Sequence, residues 1–215
     1  MEHLFYLDAF DARQIVTRLA THGACSVPLL REEFRQALLQ EARSARYSTE
    51  PASIGQGAQR VCQDVATQCV FAPESLYHVL RGAFQQLLDT TLGVLSPSPF
   101  ASPLRLTEMR LHRYSRGSLG MTPHQDGACF CNLVCVFMLG GRGAFGLCTD
   151  HHGRQPRWLD GAPGQVIFMR APGFLPAATR PFHFVRDIRT DRYTLGLRQR
   201  APRQPYHWWE HEARS

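Results

Sequence analysis

No run of about 18 apolar residues occurs in this 215-residue chain, so no membrane-spanning helix is expected. The N-terminal stretch Met1-Glu2-His3-Leu4-Phe5-Tyr6-Leu7-Asp8 is neither basic nor continuously apolar, which argues against a secretory signal. Cys-x-x-Cys is absent, and the cysteines are odd in number, seven. Cys129 and Cys131 share a strand face and read as reduced lining or core residues rather than a disulfide. All seven read as small buried hydrophobes, a usage that suits a reducing cytosol. A dense basic block is missing too. Arginine dominates a net charge of +6, but its residues are spread from Arg13 to Arg214. That permits an anionic partner without singling one out. No internal repeat is visible. A 44% hydrophobic share fills a core and a 20% charged share excludes global disorder, so one domain of ordinary size is expected.

What is present divides in two. Residues 1–103 read as a mostly helical support region. Asp11 caps a helical pattern running to Leu19, and Gly23 to Pro28 is a short extended piece. Arg31 to Ala45 is helical, residues 46 to 60 read as a loop, and Pro73-Glu74-Ser75 opens a helix to about Leu92. A Ser/Pro-rich connector spans 96–103. From residue 104 the hydrophobic period becomes two. Strands are expected over Leu104–Tyr114, Asn132–Leu139, Ala144–Thr149, Gln155–Leu159 and Val166–Met169, then around His183 and from Arg192. Many short antiparallel strands with Gly and Pro turns predict a mainly β fold with supporting helices, a jelly roll or cupin-like barrel over 104–199, with a tail at 200–215.

The chemistry-bearing residues fall in that second part. His124-Gln125-Asp126 ends an expected strand, so His124 and Asp126 project to one side and Gln125 away. His183 follows 59 residues later, and Arg192 nine residues after that. Two imidazoles and one carboxylate are the ligand set of non-haem Fe(II) oxygenases. Thr194, Gly196 and Arg198 continue the Arg192 face, while Tyr193, Leu195 and Leu197 point the other way to pack. Arg198 lies about 20 Å along the strand from Arg192. It reads either as a group at the opposite end of the site or as a surface cation. His151 and His152 read as exposed residues of a hairpin tip, and His207, Trp208, Trp209 and His211 as a docked tail.

His124-Gln125-Asp126, His183-Phe184-Val185, Arg192-Tyr193-Thr194 and the turn Pro163-Gly164-Gln165-Val166-Ile167-Phe168 together resemble the Fe(II)/2-oxoglutarate-dependent dioxygenases. The likeness covers 104–199, just under half the chain, with a weaker likeness in the helices. It implies a double-stranded β-helix in a single oxygenase domain, 1–215. His124, Asp126 and His183 would hold Fe(II). Arg192, Thr194, Tyr114 and Arg198 are the candidates for holding 2-oxoglutarate, arginine because its planar guanidinium can bind a carboxylate bidentately. Dioxygen is the other co-substrate. A carboxylate ligand makes hydroxylation the default, with release of succinate and carbon dioxide. The branch stays open. His112-x-Tyr114 with Arg192-x5-Arg198 is similar to the alkylation-repair branch, whereas Tyr114, Gly117, His124 and Asp126 are spaced as in the prolyl-hydroxylase-like branch.

The expected substrate is therefore a small molecule or an amino-acid side chain, handled in the cytoplasm and away from membranes. The alternatives are a nucleic-acid demethylase or hydroxylase and a non-catalytic cupin-like metal-binding module.

Overall fold

A computed structural model of the chain describes residues 2–57, 60–175 and 179–201. The tail around His207, Trp208, Trp209 and His211 lies outside the described residues.

Among the described residues three α-helices form one layer: α1 (Ala12–His22), α2 (Glu32–Ser44) and α3 (Leu76–Thr91). Their ends follow local chemistry. Asp11 accepts a hydrogen bond from the Gln14 amide at 3.0 Å, and α1 stops at Gly23 in the left-handed region. Glu32 and Glu33 occupy the first turn of α2 and Arg43 its last turn, matching the helix dipole. Ser75 caps α3 through the Tyr77 amide.

The described residues also form thirteen strands. The first five are β1 (Ala24–Pro28), β2 (Ser48–Thr49), β3 (Ser53–Ile54), β4 (Val61–Asp64) and β5 (Ala66–Gln68). After α3 come β6 (Glu108–Tyr114), β7 (Gly120–His124), β8 (Phe130–Gly140) and β9 (Ala144–Cys148). The last four are β10 (Arg157–Leu159), β11 (Gln165–Arg170), β12 (Phe182–Arg186) and β13 (Arg192–Arg200). They pair antiparallel into a seven-stranded sheet, β1-β11-β8-β13-β6-β5-β2, and a six-stranded sheet, β10-β9-β12-β7-β4-β3. From β6 onward the strands alternate between the two sheets, apart from the consecutive pair β9 and β10, which is the jelly roll expected from the pattern.

The period of two sorts the larger sheet into two cores. Leu133, Cys135, Phe137, Tyr193, Leu195 and Leu197 face the helices. There Phe84 of α3 meets Phe137 edge-on, with ring centroids 4.8 Å apart. Such a pair contributes about 0.5–1.5 kcal/mol beyond its buried area. Tyr114, Val134, Val136, Met138, Ile167 and Met169 face the space between the sheets. No described helix is long and apolar enough to cross a membrane.

Four expectations are corrected. The stretch 46–60, read as a loop, contains β2 and β3, which pair with β5 and β4. Two-residue strands are too short to show a period. The strand expected from Leu104 begins at Glu108. The support region also supplies strands to both sheets, with β1 forming one edge of the larger. Among the cysteines, all unpaired, Cys69 is exposed and Cys62, Cys131 and Cys148 only partly covered, so the buried-hydrophobe reading holds for Cys25, Cys129 and Cys135 alone.

Candidate active site

Between the sheets lies a cavity of about 460 Å³. His124, Asp126, His183, Tyr114, Arg192, Thr194 and Arg198 all line it, so the seven residues expected to hold iron or 2-oxoglutarate meet in one space.

Strand pairing puts the histidines together. His124 and His183 are direct partners across the β7–β12 ladder, and their ring centroids are 4.2 Å apart. The ladder shifts register between His183 and Val185, where β7 begins at Gly120 with φ +80°. A Cβ at Gly120 would stand 2.2 Å from the Val185 carbonyl oxygen, so only glycine allows the strands this close. Each histidine Nδ1 faces the carbonyl oxygen two residues back: Thr122 at 2.8 Å and Pro181 at 3.3 Å. A carbonyl only accepts, so Nδ1 carries the proton and Nε2 keeps its lone pair. Burial, with the neighbouring His183 ring, takes His124 down to about 3. Burial likewise lowers His183, against the pull of Asp126. Both rings are neutral at pH 7.

Asp126 lies two residues beyond the end of β7. Its Oδ2 is 3.8 Å from His183 Nε2, and its Oδ1 is 3.4 Å from Arg198 Nη2. Burial opposes its charge, but Arg198, with help from the imidazoles, outweighs this and holds the carboxyl at about 2. Among the described residues no three His, Cys, Asp or Glu side chains are already gathered at coordinating distance. Two neighbouring ligands of one ion, each about 2.1 Å from it, stand about 3 Å apart. The Asp126–His183 separation is wider than that by about an ångström.

The β6–β13 pair tiles the opposite wall. Tyr114 faces Arg192 in the register, His112 faces Thr194, Arg110 faces Gly196 and Glu108 faces Arg198. Arg192 is 1% exposed. It donates to the Gly143 carbonyl and lies 3.0 Å from Met138 Sδ, while its Nε has no partner. No carboxylate among the described residues pairs with it within 4.0 Å. Tyr114 is buried too, and desolvation, tempered by the Arg192 charge, pushes its hydroxyl to about 12. His112 Nδ1 is buried without a partner, and burial with Arg198 and Arg110 nearby drives the ring well below its usual value.

Arg198 is buried, which removes the surface-cation alternative. It folds back over Gly196, where a Cβ would come within 2.9 Å of the guanidinium. The sequence reading missed Glu50, Arg110 and Glu108 as cavity residues. The last two follow from extending the period of two back along β6 from His112. Glu50 lies outside any periodic segment and carries no such signal. His151 and His152 are exposed at their hairpin tip, outside the cavity lining.

No protein-family model and no curated protein matches this chain. Solved structures do match it in fold. A prolyl-4-hydroxylase from Pseudomonas putida aligns over 88% of this chain and 99% of its own, with a TM-score of 0.62 and 15% identity. A prolyl hydroxylase from Trichoplax adhaerens, in complex with a hypoxia inducible factor peptide fragment, aligns over 87% of each chain, at 0.63 and 16%. An oxidoreductase of the 2OG-Fe(II) oxygenase family from Burkholderia pseudomallei aligns over 91% of this chain and 95% of its own, at 0.57 and 16%. The fold is therefore the double-stranded β-helix of the 2-oxoglutarate–Fe(II) oxygenases.

Proposed function

We propose that this chain, acting as one oxygenase domain, is an Fe(II)- and 2-oxoglutarate-dependent dioxygenase that hydroxylates a C–H bond of a small molecule or an amino-acid side chain. The observation that carries the reading is Arg192, a buried cation lining the cavity with an unpaired Nε and no carboxylate partner among the described residues. A buried charge without a counter-ion costs several kcal/mol. A keto diacid whose distal carboxylate reaches Arg192 supplies that counter-ion bidentately. The chain contains no lysine, so arginine is the cation available for this task. Thr194 and Tyr114 flank Arg192 and offer hydroxyl hydrogen bonds to the same carboxylate.

At the other end, His124 and His183 present neutral Nε2 atoms and Asp126 an ionised carboxylate, a donor set that suits non-haem iron. Bound there, iron with 2-oxoglutarate and dioxygen supplies the oxidising chemistry, and succinate and carbon dioxide are released. The protein's own part is positional. The ladder sets the two imidazoles side by side, and the carbonyls of Thr122 and Pro181 fix their protons. Val136, Phe145, Met169 and Val185 keep that part of the cavity apolar and limit water.

The paired charges on β6 and β13 favour a compact substrate over a nucleic acid. Arg110 pairs with Glu50 at 3.5 Å, and Arg200 and Arg198 with Glu108 at 2.7 and 4.0 Å. These neutralised cations do not make the bare positive track that a phosphate backbone requires. The peptide held by the Trichoplax adhaerens neighbour supports a peptide-borne side chain as one candidate target. Unpaired cysteines fit a cytosolic setting.

The test is succinate release from 2-oxoglutarate with Fe(II), over a panel of amino acids, peptides, small metabolites and methylated oligonucleotides. The expected result is turnover with one of the first three classes, abolished by His183→Ala. Arg192→Met should raise the half-saturating 2-oxoglutarate concentration roughly tenfold to hundredfold, the size of lost hydrogen bonds to charged groups. Turnover that survives His183→Ala would overturn the ligand assignment. Failure to bind 2-oxoglutarate or form succinate would favour a cupin-like binding module.

A further inference from the structure

Two of the three metal-facing side chains are placed by backbone pairing, because His124 and His183 are ladder partners. Asp126 is not, since β7 ends at His124 and β12 begins at Phe182. Something else must fix the residue that completes the trio. We infer that Gln125 and Arg180 are positioning residues that continue the β7–β12 ribbon past its ladder and set where Asp126 stands. The inference rests on the metal reading above.

The geometry is reciprocal. Gln125 Nε2 donates to the Arg180 carbonyl at 2.6 Å, and Arg180 Nη1 donates to the Asp126 carbonyl. Two side-chain bonds thus do what two ladder bonds would do one step earlier, joining segments 55 residues apart in sequence. Arg180 is itself held from behind. Arg170 Nε donates to the Thr179 carbonyl at 2.8 Å and its Nη2 to Thr179 Oγ1 at 2.9 Å. The remaining nitrogen of Arg170 reaches the Leu19 and Ala20 carbonyls, at 3.1 and 2.8 Å, in the last turn of α1. A guanidinium on a helix C-terminus is favoured by charge as well as by hydrogen bonding. The chain of contacts therefore runs from the helical layer through Arg170, Thr179 and Arg180 to Asp126. Pro181, the next residue, supplies the carbonyl that orients His183. One anchored segment serves both ligands.

This arrangement gives Gln125 a role although its side chain does not belong to the proposed ligand set. It also predicts a defect in metal binding, because an unclamped Asp126 must be ordered at the moment of binding. Partners that orient ligands without touching the metal are worth roughly ten- to hundredfold in metal affinity.

The experiment is titration of the purified full chain with Mn(II), read by electron paramagnetic resonance, and with Co(II), read by its visible absorption. Gln125→Ala and Arg180→Met should each weaken Mn(II) binding roughly ten- to hundredfold and change the Co(II) band. Arg180→Lys should recover part of the loss, and the double variant should be little worse than either single one, since both bonds close one ring. A helix-side core variant, Phe137→Leu, controls for general loss of stability and should keep wild-type affinity. Wild-type affinity and an unchanged Co(II) band in both Gln125→Ala and Arg180→Met would overturn the positioning role. If instead Asp126→Ala bound Mn(II) as tightly as the wild type, or the wild type bound none, the metal reading itself would fall and this inference with it.

Discussion

Arg198 Nη2 stands 3.4 Å from Asp126 Oδ1, so a buried guanidinium faces the carboxylate nearest the two histidines. The same arginine reaches Glu108, at 4.0 Å. Removing it leaves two covered carboxylates short of positive charge. Arg198→Met is expected to destabilise the metal-free protein by about 3–5 kcal/mol in urea unfolding, the usual cost of breaking a buried pair. Mn(II) should restore more stability to the variant than to the wild type, because the ion returns the missing charge. Equal Mn(II) stabilisation of both proteins would contradict this.

Gly120 tests the ladder that joins the histidines. Alanine there meets both a positive φ and a carbonyl oxygen 2.2 Å from its Cβ. Gly120→Ala should push β7 from β12, lower the unfolding midpoint and reduce Mn(II) binding together. Loss of stability with unchanged binding would show that the histidines are held some other way.

The helix–sheet core gives a prediction independent of any ligand. Phe137 is fully buried against Phe84. Phe137→Ala should cost about 3–5 kcal/mol in denaturant unfolding, from lost burial plus the cavity left behind. A cost near zero would mean that the two layers repack freely.

Acid should act on α2. The hydrogen bond from Arg35 is the main reason that Glu32 lies at about 2 instead of 4.5. A carboxyl depressed in the folded state adds stability that is complete above its unfolded value and fades as pH falls from there towards 2. Arg35 is buried and also donates to the Leu139 carbonyl at the end of β8, so the bond ties α2 to the larger sheet. Glu32→Gln should therefore lower the thermal midpoint near neutral pH and differ least from the wild type near pH 2. A difference independent of pH would refute the assignment.

How much of this was legible beforehand varied with the range of the interaction. Asp11, Ser75 and Gly23 punctuate helices through contacts within a few residues, and the sequence pattern located those helices to within about three residues. The period of two from β6 onward sorted Leu195 and Leu197 to the helix side and Arg192 and Thr194 to the cavity side. The two-residue strands β2 and β3 were illegible because nothing that short carries a period, and they exist only through partners in β5 and β4. Glu50 entered the cavity wall by the same route. Arg180 was invisible for another reason: its side-chain bond is to a backbone carbonyl, which any residue could provide.

The sequence by itself determined which chemical groups are available and which strand face each occupies, because residue type and alternation are local properties of the polymer. Only the tertiary structure decided which of them meet: His183 opposite His124, Arg198 bent over Gly196 towards Asp126, Arg180 clasping the chain beyond β7. Those meetings depend on antiparallel pairing and side-chain reach between segments dozens of residues apart. Their geometry is fixed by the closure of two sheets around one cavity, not by any neighbour in the chain.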